Sequence, residues 1–149
     1  MTFAPYALPA APASFQPANP ATTASTTLVM MGTGATVTYT PTSSGKVLIV
    51  VTGGALTLTA IVAGTVGGRY GTGTAPANGA ADTGTRFGSA EDIQFRSPGG
   101  SPTVEMWSLT DVLMLTRGEK YWFDVALATS VAADHASVTG LSFALAEMD

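Results

Sequence analysis

Cysteine is absent from this chain of 149 residues, and histidine occurs once. Without thiols the protein can form no disulfide, use no thiolate nucleophile and bind no cysteine-ligated zinc. The single histidine, His135, follows Asp134 in the segment "SVAADHAS". A hydrolase or lyase needs several catalytic groups that converge, and one histidine beside one carboxylate does not supply them. We therefore expect His135 to lie on a surface loop, and we expect neither an enzyme nor a bound cofactor or metal.

Charged residues are also scarce, at 11% of the chain against about 25% in a typical soluble domain. Lys46 is the only charged residue before Arg69. Since a soluble monomer rarely leaves so much chain uncharged, we expect part of this half to lie against another surface. The net charge of -4 lacks the basic surface that nucleic-acid binding requires, so nucleic acid is not an expected partner.

Long hydrophobic runs are missing as well. The longest wholly apolar run, residues 47–51, is far shorter than the roughly 20 residues of a membrane-spanning helix, so no membrane partner is expected. The first residues, "MTFAPYALPAAPASFQ", carry no positive charge and are interrupted by prolines, unlike a secretory signal. We expect synthesis in the cytoplasm and use without export.

Proline is abundant in residues 1–25, which hold five of the nine prolines. Because proline fixes φ and keeps its predecessor extended, this segment predicts an extended N-terminal arm. The arm also carries four large apolar side chains that a disordered linker would lack: Phe3, Tyr6, Leu8 and Phe15. We interpret them as anchors that bind pockets on a neighbouring molecule. Packing of the arm on its own domain is the alternative.

From residue 26 onward apolar and polar residues alternate with the period of a strand. Examples are "ATVTYT", "YWFDVALAT" and "VTGLSFALAEM", and "GG" at residues 53–54 indicates a turn. No segment has helical periodicity. About eight short strands with turns between them favour an all-β antiparallel sandwich or barrel over residues 26–149.

Two features of these strands predict an interface. The segment "KVLIVV" is apolar on both faces, as expected for a strand covered by its partner sheet and by another subunit. Its outward residues would be Leu48 and Val50. Trp122 lies opposite Phe123 in the alternation and so points outward, where it needs a partner. Trp107 is predicted to lie at the same interface. Trp107, Tyr121 and Trp122 could instead stack on a sugar or base, although aromatic residues in strands more often belong to a core or an interface.

The segment "RYGTGTAPANGAADTGTRFG", residues 69–88, is the most glycine-rich in the chain. It matches neither a Walker A loop nor a dinucleotide fingerprint, and no helix follows it to bind a phosphate. We expect its glycines to shape a structural loop. Arg69 and Arg86 would pair with acidic residues of the same or a neighbouring chain. Asp82, Glu91 and Asp92 could bind calcium, but the spacing is not that of a calcium loop, so a solvated acidic turn is expected.

Four segments together resemble a group of small virion proteins of tailed bacteriophages: "PTSSGKVLIVVTG", "RYGTGTAPANGAADTGTRFG", "LTRGEKYWFDVALAT" and "VTGLSFALAEM". The resemblance covers about residues 26–149, and "GTGTAPANGA" is its most specific part. These domains are similar to the C1q and tumour-necrosis-factor type of jelly roll. The resemblance implies a jelly-roll β-sandwich that forms homotrimers and serves in head decoration, as a cement protein, or in fibres. It transfers no catalytic residue.

Two functions follow as expectations. The first is a trimeric capsid decoration protein on the virion exterior, assembled in the host cytoplasm, whose arm contacts the major capsid protein or neighbouring trimers. The second is a tail or fibre component that binds a host receptor glycan. A glycan site needs exposed aromatic rings on a loop face, whereas a cement protein needs anchors on an arm. The arm, with no fibre shaft ahead of it, leads us to expect the decoration role.

Overall fold

Strands dominate the computed structural model, which describes residues 8–57, 62–89, 91–96 and 103–148. Phe3 and Tyr6 lie outside these residues. The described chain contains one short 3-10 turn, Thr33–Ala35, and no α-helix. No helix in these ranges is long and apolar enough to cross a membrane. The strands are β1 Ala13–Phe15, β2 Val29–Met30, β3 Thr38–Tyr39, β4 Lys46–Thr57, β5 Ala63–Thr72, β6 Thr85–Phe87, β7 Ile93–Arg96, β8 Glu105–Met114, β9 Tyr121–Thr129 and β10 Ala136–Glu147.

These strands form two antiparallel sheets. Sheet A has the order β1-β10-β4-β8, and sheet B has the order β2-β9-β5-β6, with β3 also paired to β9 and β7 also paired to β5. The expected all-β sandwich with jelly-roll-like packing is therefore confirmed. The turn predicted at Gly53 and Gly54 is wrong, since β4 continues through both residues to Thr57. A Cβ at Gly53 would lie 2.9 Å from a methyl of Leu141, so this glycine makes room for packing.

The core lies between the two sheets and follows the period-two pattern. Alternate side chains of each long strand are buried because they point toward the opposite sheet. Sheet A contributes Val47, Ile49, Val51, Leu109, Phe143 and Leu145, and sheet B contributes Val66, Phe87, Phe123, Val125 and Leu127. Tyr70 extends this core, with its ring stacked on that of Phe123 at a centroid distance of 6.0 Å.

Strand β9 is buried on both faces along its nine residues. Its outward side chains are covered by two segments of the same chain, residues 28–36 and 73–84. Trp122 and Ala126 form a second apolar cluster with Met30, against which Leu28, Ala75 and Ala80 pack. Main-chain hydrogen bonds join the two covering segments, from Met30 N to Ala80 O and from Gly79 N to Met30 O, each 2.8 Å. The outer face of sheet B is thus largely closed by its own loops.

The glycines of β5 and of the loop after it make room for large side chains. A Cβ at Gly68 would lie 2.6 Å from the ring of Phe87, and one at Gly71 would lie 2.6 Å from Cζ2 of Trp122. Gly84, at φ +88°, would bring a Cβ within 2.6 Å of the same indole. The glycine-rich segment therefore forms a structural loop, as predicted, and this loop also encloses Trp122.

The described part of the N-terminal arm, residues 8–25, lies on its own domain. Strand β1 pairs antiparallel with β10, with Ala13 opposite Leu145 and Phe15 opposite Phe143. Phe15 packs against the core, so its predicted role as an anchor on a neighbour is corrected for this arrangement. Leu8 remains 79% exposed. The alternative of packing on the same domain thus describes most of the arm that the structure shows.

The enclosure of Trp122 predicts the effect of Gly71→Ala. The added methyl group overlaps the indole, so we expect a loss of stability of about 2 kcal/mol, typical of overpacking. In a Trp122→Phe background the six-membered ring that carries Cζ2 is gone, and the same substitution should cost clearly less. Urea unfolding of the two single variants and the double variant measures this coupling. An equal cost in both backgrounds would contradict the proposed overlap.

Candidate interaction surface

The outer face of sheet A carries exposed apolar side chains that the rest of the described chain does not cover. It is formed by the outward residues of four strands: Ser14, Lys46, Leu48, Val50, Thr52, Met106, Ser108, Thr110, Val112, Met114, Ser142, Ala144 and Ala146. Lys46 is the only charged residue among them. Seven of these thirteen residues are apolar, and the six polar ones are five hydroxyl residues and Lys46. Because the outward face of a sheet in water is normally polar, the apolar share of this face is high for an exposed surface.

Exposure is greatest along β8, which is an edge strand. Met106 is 77% exposed, Met114 73% and Val112 43%. Sequence reasoning missed these three residues, although the alternation in "EMWSLTDVLM" predicts their outward direction. The register places Val112 beside Leu48 and Thr110 beside Val50. Leu48 and Val50 are partly buried and lie together on this face, at the outward positions predicted for them. Their role in a subunit interface stays a prediction.

A shallow apolar groove of about 240 Å³ crosses the other half of the face. It runs between β1, β10 and β4, and its walls are Pro12, Ala13, Leu48, Val50, Ala144 and Ala146. The groove exists because β1 is short and its outward neighbours on β10 are alanines, which leave space above the sheet. An apolar side chain of a partner would fit here without meeting a charge.

The two tryptophans do not belong to this face. Trp122 points outward from sheet B as predicted, but it is only 5% exposed, and its Nε1 donates a hydrogen bond to Thr72 O at 3.1 Å. The expectation that it needs a partner outside the chain is therefore corrected, because its partner is the chain's own loop. Trp107 is 7% exposed and packs beside Gly53, where a Cβ would lie 3.0 Å from its ring. Neither ring is available for stacking on a ligand.

Arg69 is the centre of a buried ion-pair cluster. It is 3% exposed, and it donates to both carboxylate oxygens of Asp82 and of Asp92 at 2.7–3.1 Å. Arg86 donates to Asp92 at 3.0 Å. Although burial lowers the pKa of Arg69, hydrogen bonds to Asp92 and Asp82 raise it above its usual value. The arginine therefore stays charged and binds the residues before β6 and before β7, through Asp82 and Asp92, to β5.

This cluster settles two alternatives from the sequence. The arginines pair with acidic residues of the same chain, and the Arg69 pairs are buried, which was not expected. Asp92 is not part of a solvated turn, since its side chain is 8% exposed. The guanidinium occupies the position between Asp82 and Asp92 where calcium was considered. No group of three or more potential metal ligands occurs in the described part of the chain.

Glu147 binds the arm to the end of the sandwich, a role that sequence reasoning missed. Its carboxylate accepts backbone N–H groups from Ala10 at 2.7 Å, Thr42 at 2.9 Å, and Ser43 and Gly45 at 2.8 Å each. Partial burial raises the pKa of Glu147, but these four hydrogen bonds outweigh it and lower the pKa to about 2. The ionised carboxylate is thus the form that holds the arm and the turn before β4 together.

Asp124 holds the covering segment of sheet B in a similar way. The carboxylate is fully buried and accepts hydrogen bonds from Gly32 N at 2.9 Å, Thr33 N at 3.0 Å and Thr33 Oγ1 at 2.6 Å. Burial raises the pKa of Asp124, while these hydrogen bonds favour its charged form. His135 is exposed, as expected for a loop histidine, whereas Asp134 beside it is buried.

Comparison with known proteins does not assign a family. No protein-family model matches the sequence, and no curated protein is significantly similar to it. The resemblance to bacteriophage virion proteins therefore stays a prediction from the quoted motifs.

The Glu147 contacts predict a pH-dependent contribution to stability. Because the folded pKa of about 2 lies below the usual 4.5, this contribution is present above pH 4.5 and is lost as the pH falls toward 2. Glu147→Gln should lower stability at neutral pH by about 1–2 kcal/mol, since an amide offers one accepting oxygen and a competing donor. It should also flatten the decline in acid. Urea unfolding at several pH values measures both effects. Glu91→Gln, which removes an exposed carboxylate, should change neither.

The Arg69 cluster predicts a larger loss. Arg69→Met leaves two neighbouring carboxylates without their buried partner, and we expect about 3 kcal/mol of destabilisation in urea unfolding. Arg117→Met, which removes the same charge from an exposed turn, should cost much less. Equal effects of the two substitutions would show that the cluster does not fasten the loop.

Proposed function

We propose that the protein is a structural protein of a bacteriophage virion, a homotrimeric decoration protein that stabilises the head shell from outside. The observation that carries this proposal is the apolar outer face of sheet A, which the described chain leaves uncovered while it closes the corresponding face of sheet B. Exposing such a face to water is unfavourable for a protein that works as a monomer. A subunit of a larger assembly can bury it against another subunit.

The size of the face supports a subunit contact. Three of its strands are 10–12 residues long. With strands about 4.8 Å apart and a rise of about 3.3 Å per residue, they cover roughly 500 Å². A stable interface buries about 800 Å² on each partner, so this face would supply more than half of one. Leu48 and Val50, on β4 between β10 and β8, would lie near its centre, and Val112 beside them on the edge strand β8.

The arm would supply the second contact, with the major capsid protein or with a neighbouring trimer. Leu8 is 79% exposed, yet its backbone is held in place, since Thr42 Oγ1 donates to Leu8 O at 2.8 Å. An apolar side chain on a fixed backbone loses little entropy when it binds. Phe3 and Tyr6, also predicted anchors, lie outside the described residues.

The stabilising mechanism is linkage between binding and assembly. A protein that binds assembled shell and not separated capsomers raises the free energy needed to break the shell. Repetition over symmetry-related copies makes modest individual contacts collectively strong. Neither step requires catalysis, a cofactor or a metal.

The alternative, a tail or fibre component that binds a glycan, receives less support. A sugar-binding surface uses exposed aromatic rings beside hydrogen-bonding groups. Within the described residues, the exposed large apolar side chains are Leu8, Val104, Met106, Val112, Met114 and Val131, and none is aromatic. Trp107 and Trp122, the candidates for stacking, are enclosed. The geometry therefore favours assembly over glycan recognition.

The proposed interface predicts that Val112→Glu separates the subunits. The residue is 43% exposed in the single chain, so the fold should tolerate a carboxylate there. Burying that charge in an interface should weaken association at least tenfold, equivalent to about 1.4 kcal/mol. Native mass spectrometry across a concentration series measures this. Gln94→Glu, which adds the same charge at an exposed position of sheet B, is the control. A trimer unaffected by Val112→Glu, or a monomeric parent protein, would contradict the proposal.

The virion role has its own test. Quantitative mass spectrometry of purified virions gives the copy number of this protein relative to the major capsid protein. A simple ratio to the shell protein is expected of a decoration protein. A few copies per particle would place the protein at a tail or vertex and would overturn the decoration role.

A further inference from the structure

We propose that the N-terminal arm is exchanged between copies, so that residues 8–15 of one copy bind the next copy, with Ala13–Phe15 pairing with its β10. This inference rests on the proposed oligomer and adds the identity of one contact within it. In the exchanged arrangement the arm would link two subunits instead of binding to its own domain. The partner is a second copy of this chain.

The first support is the nature of the contacts that hold the arm. They are main-chain pairing of β1 with β10 and hydrogen bonds to the ends of distant strands. Ala10 N donates to Glu147 at 2.7 Å, and Tyr39 Oη donates to Ala10 O at 3.2 Å. An arm from another copy can form every one of these contacts unchanged. Exchange therefore alters the connectivity without a loss of interactions, as in domain swapping.

The second support is the connection between β1 and the rest of the domain. Residues 16–22 include Pro17 and Pro20, which favour an extended backbone. An open space of about 480 Å³ lies between this connection and β10, lined by residues 16–19 and 140–142. The connection is tied to β10 by a hydrogen bond from Gly140 N to the side chain of Asn19 at 2.9 Å. Redirecting the connection therefore gives up this exposed hydrogen bond but does not open the core.

The third support is location. Pro12 and Ala13 form one wall of the groove on the outer face of sheet A. A copy that packs on this face therefore lies directly beside β1. The seven connecting residues span up to about 24 Å when extended, so an arm can reach a neighbour's β10 over that distance. Exchange would place the arm where two subunits already meet.

A cysteine pair distinguishes the two arrangements. Ser14 and Ala144 are directly opposite each other in the β1–β10 pairing and are both exposed. Opposite residues of antiparallel strands have the Cα separation that a disulfide needs, and the chain contains no other cysteine. We would oxidise the assembled full-length Ser14→Cys/Ala144→Cys protein and separate it on a denaturing, non-reducing gel. Exchange predicts covalently linked chains, whereas an arm on its own domain gives single chains with an internal disulfide.

The matched control is Val50→Cys/Ala144→Cys. Val50 is opposite Ala144 across the β10–β4 pairing on the same face, so its disulfide stays within one chain whether or not the arm is exchanged. A yield of covalently linked chains that is well above the control for the Ser14 pair supports exchange. An equal yield in both pairs overturns it, because contacts across the face would then explain the links. The native mass of the unmodified protein separates the failure of exchange from the failure of the proposed function. If that protein is a trimer and the Ser14 pair forms only internal disulfides, exchange alone is contradicted. If that protein is a monomer, both proposals are contradicted.

Discussion

The burial of β9 on both faces is the constraint on which the rest of the structure depends. One face meets sheet A in the core. The other face carries Trp122, Asp124 and Ala126. The indole and the methyl group favour an apolar environment, whereas the carboxylate needs polar partners. Neither water nor an apolar surface alone suits all three. The chain meets this requirement with two covering segments, one bonded to the carboxylate and one folded around the indole. Glycine at positions 71 and 84 is needed because the backbone must pass closer to Trp122 than any Cβ permits.

This arrangement makes the two outer faces of the sandwich unequal. Sheet B uses the chain's own loops as its cover, and Arg69 binds the longer one near its C-terminal end through Asp82. On sheet A, the arm binds only at one edge, where it contributes the short strand β1. Most of the outer face of sheet A therefore stays exposed. That face has Lys46 as its only charged residue, and leaving its apolar side chains exposed is costly for a monomer. The chain thus covers the outer face of sheet B itself and leaves the outer face of sheet A exposed, which is the basis of the proposed subunit contact.

The arm connects this asymmetry to assembly. It binds at the margin of the bare face, through a carboxylate at the far end of the chain and through strand pairing that is independent of side-chain identity. Such contacts hold equally well within a chain or between chains. In the proposed assembly, this site can therefore be filled by the arm of the same chain or by that of a neighbouring copy.

The sequence by itself determined the fold class and the direction of most strand side chains. The alternation in "YWFDVALAT" placed Phe123 inside and Trp122 outside, and "KVLIVV" placed Leu48 and Val50 on an outer face, because side-chain direction in a strand depends only on local geometry. What covers an outward residue depends on contacts between distant parts of the chain. Only the tertiary structure could show that residues 73–84 close over Trp122, that Arg69 binds Asp82 and Asp92, and that Glu147 holds Ala10. These contacts join residues 13 to 137 positions apart, and no periodicity in the sequence records them.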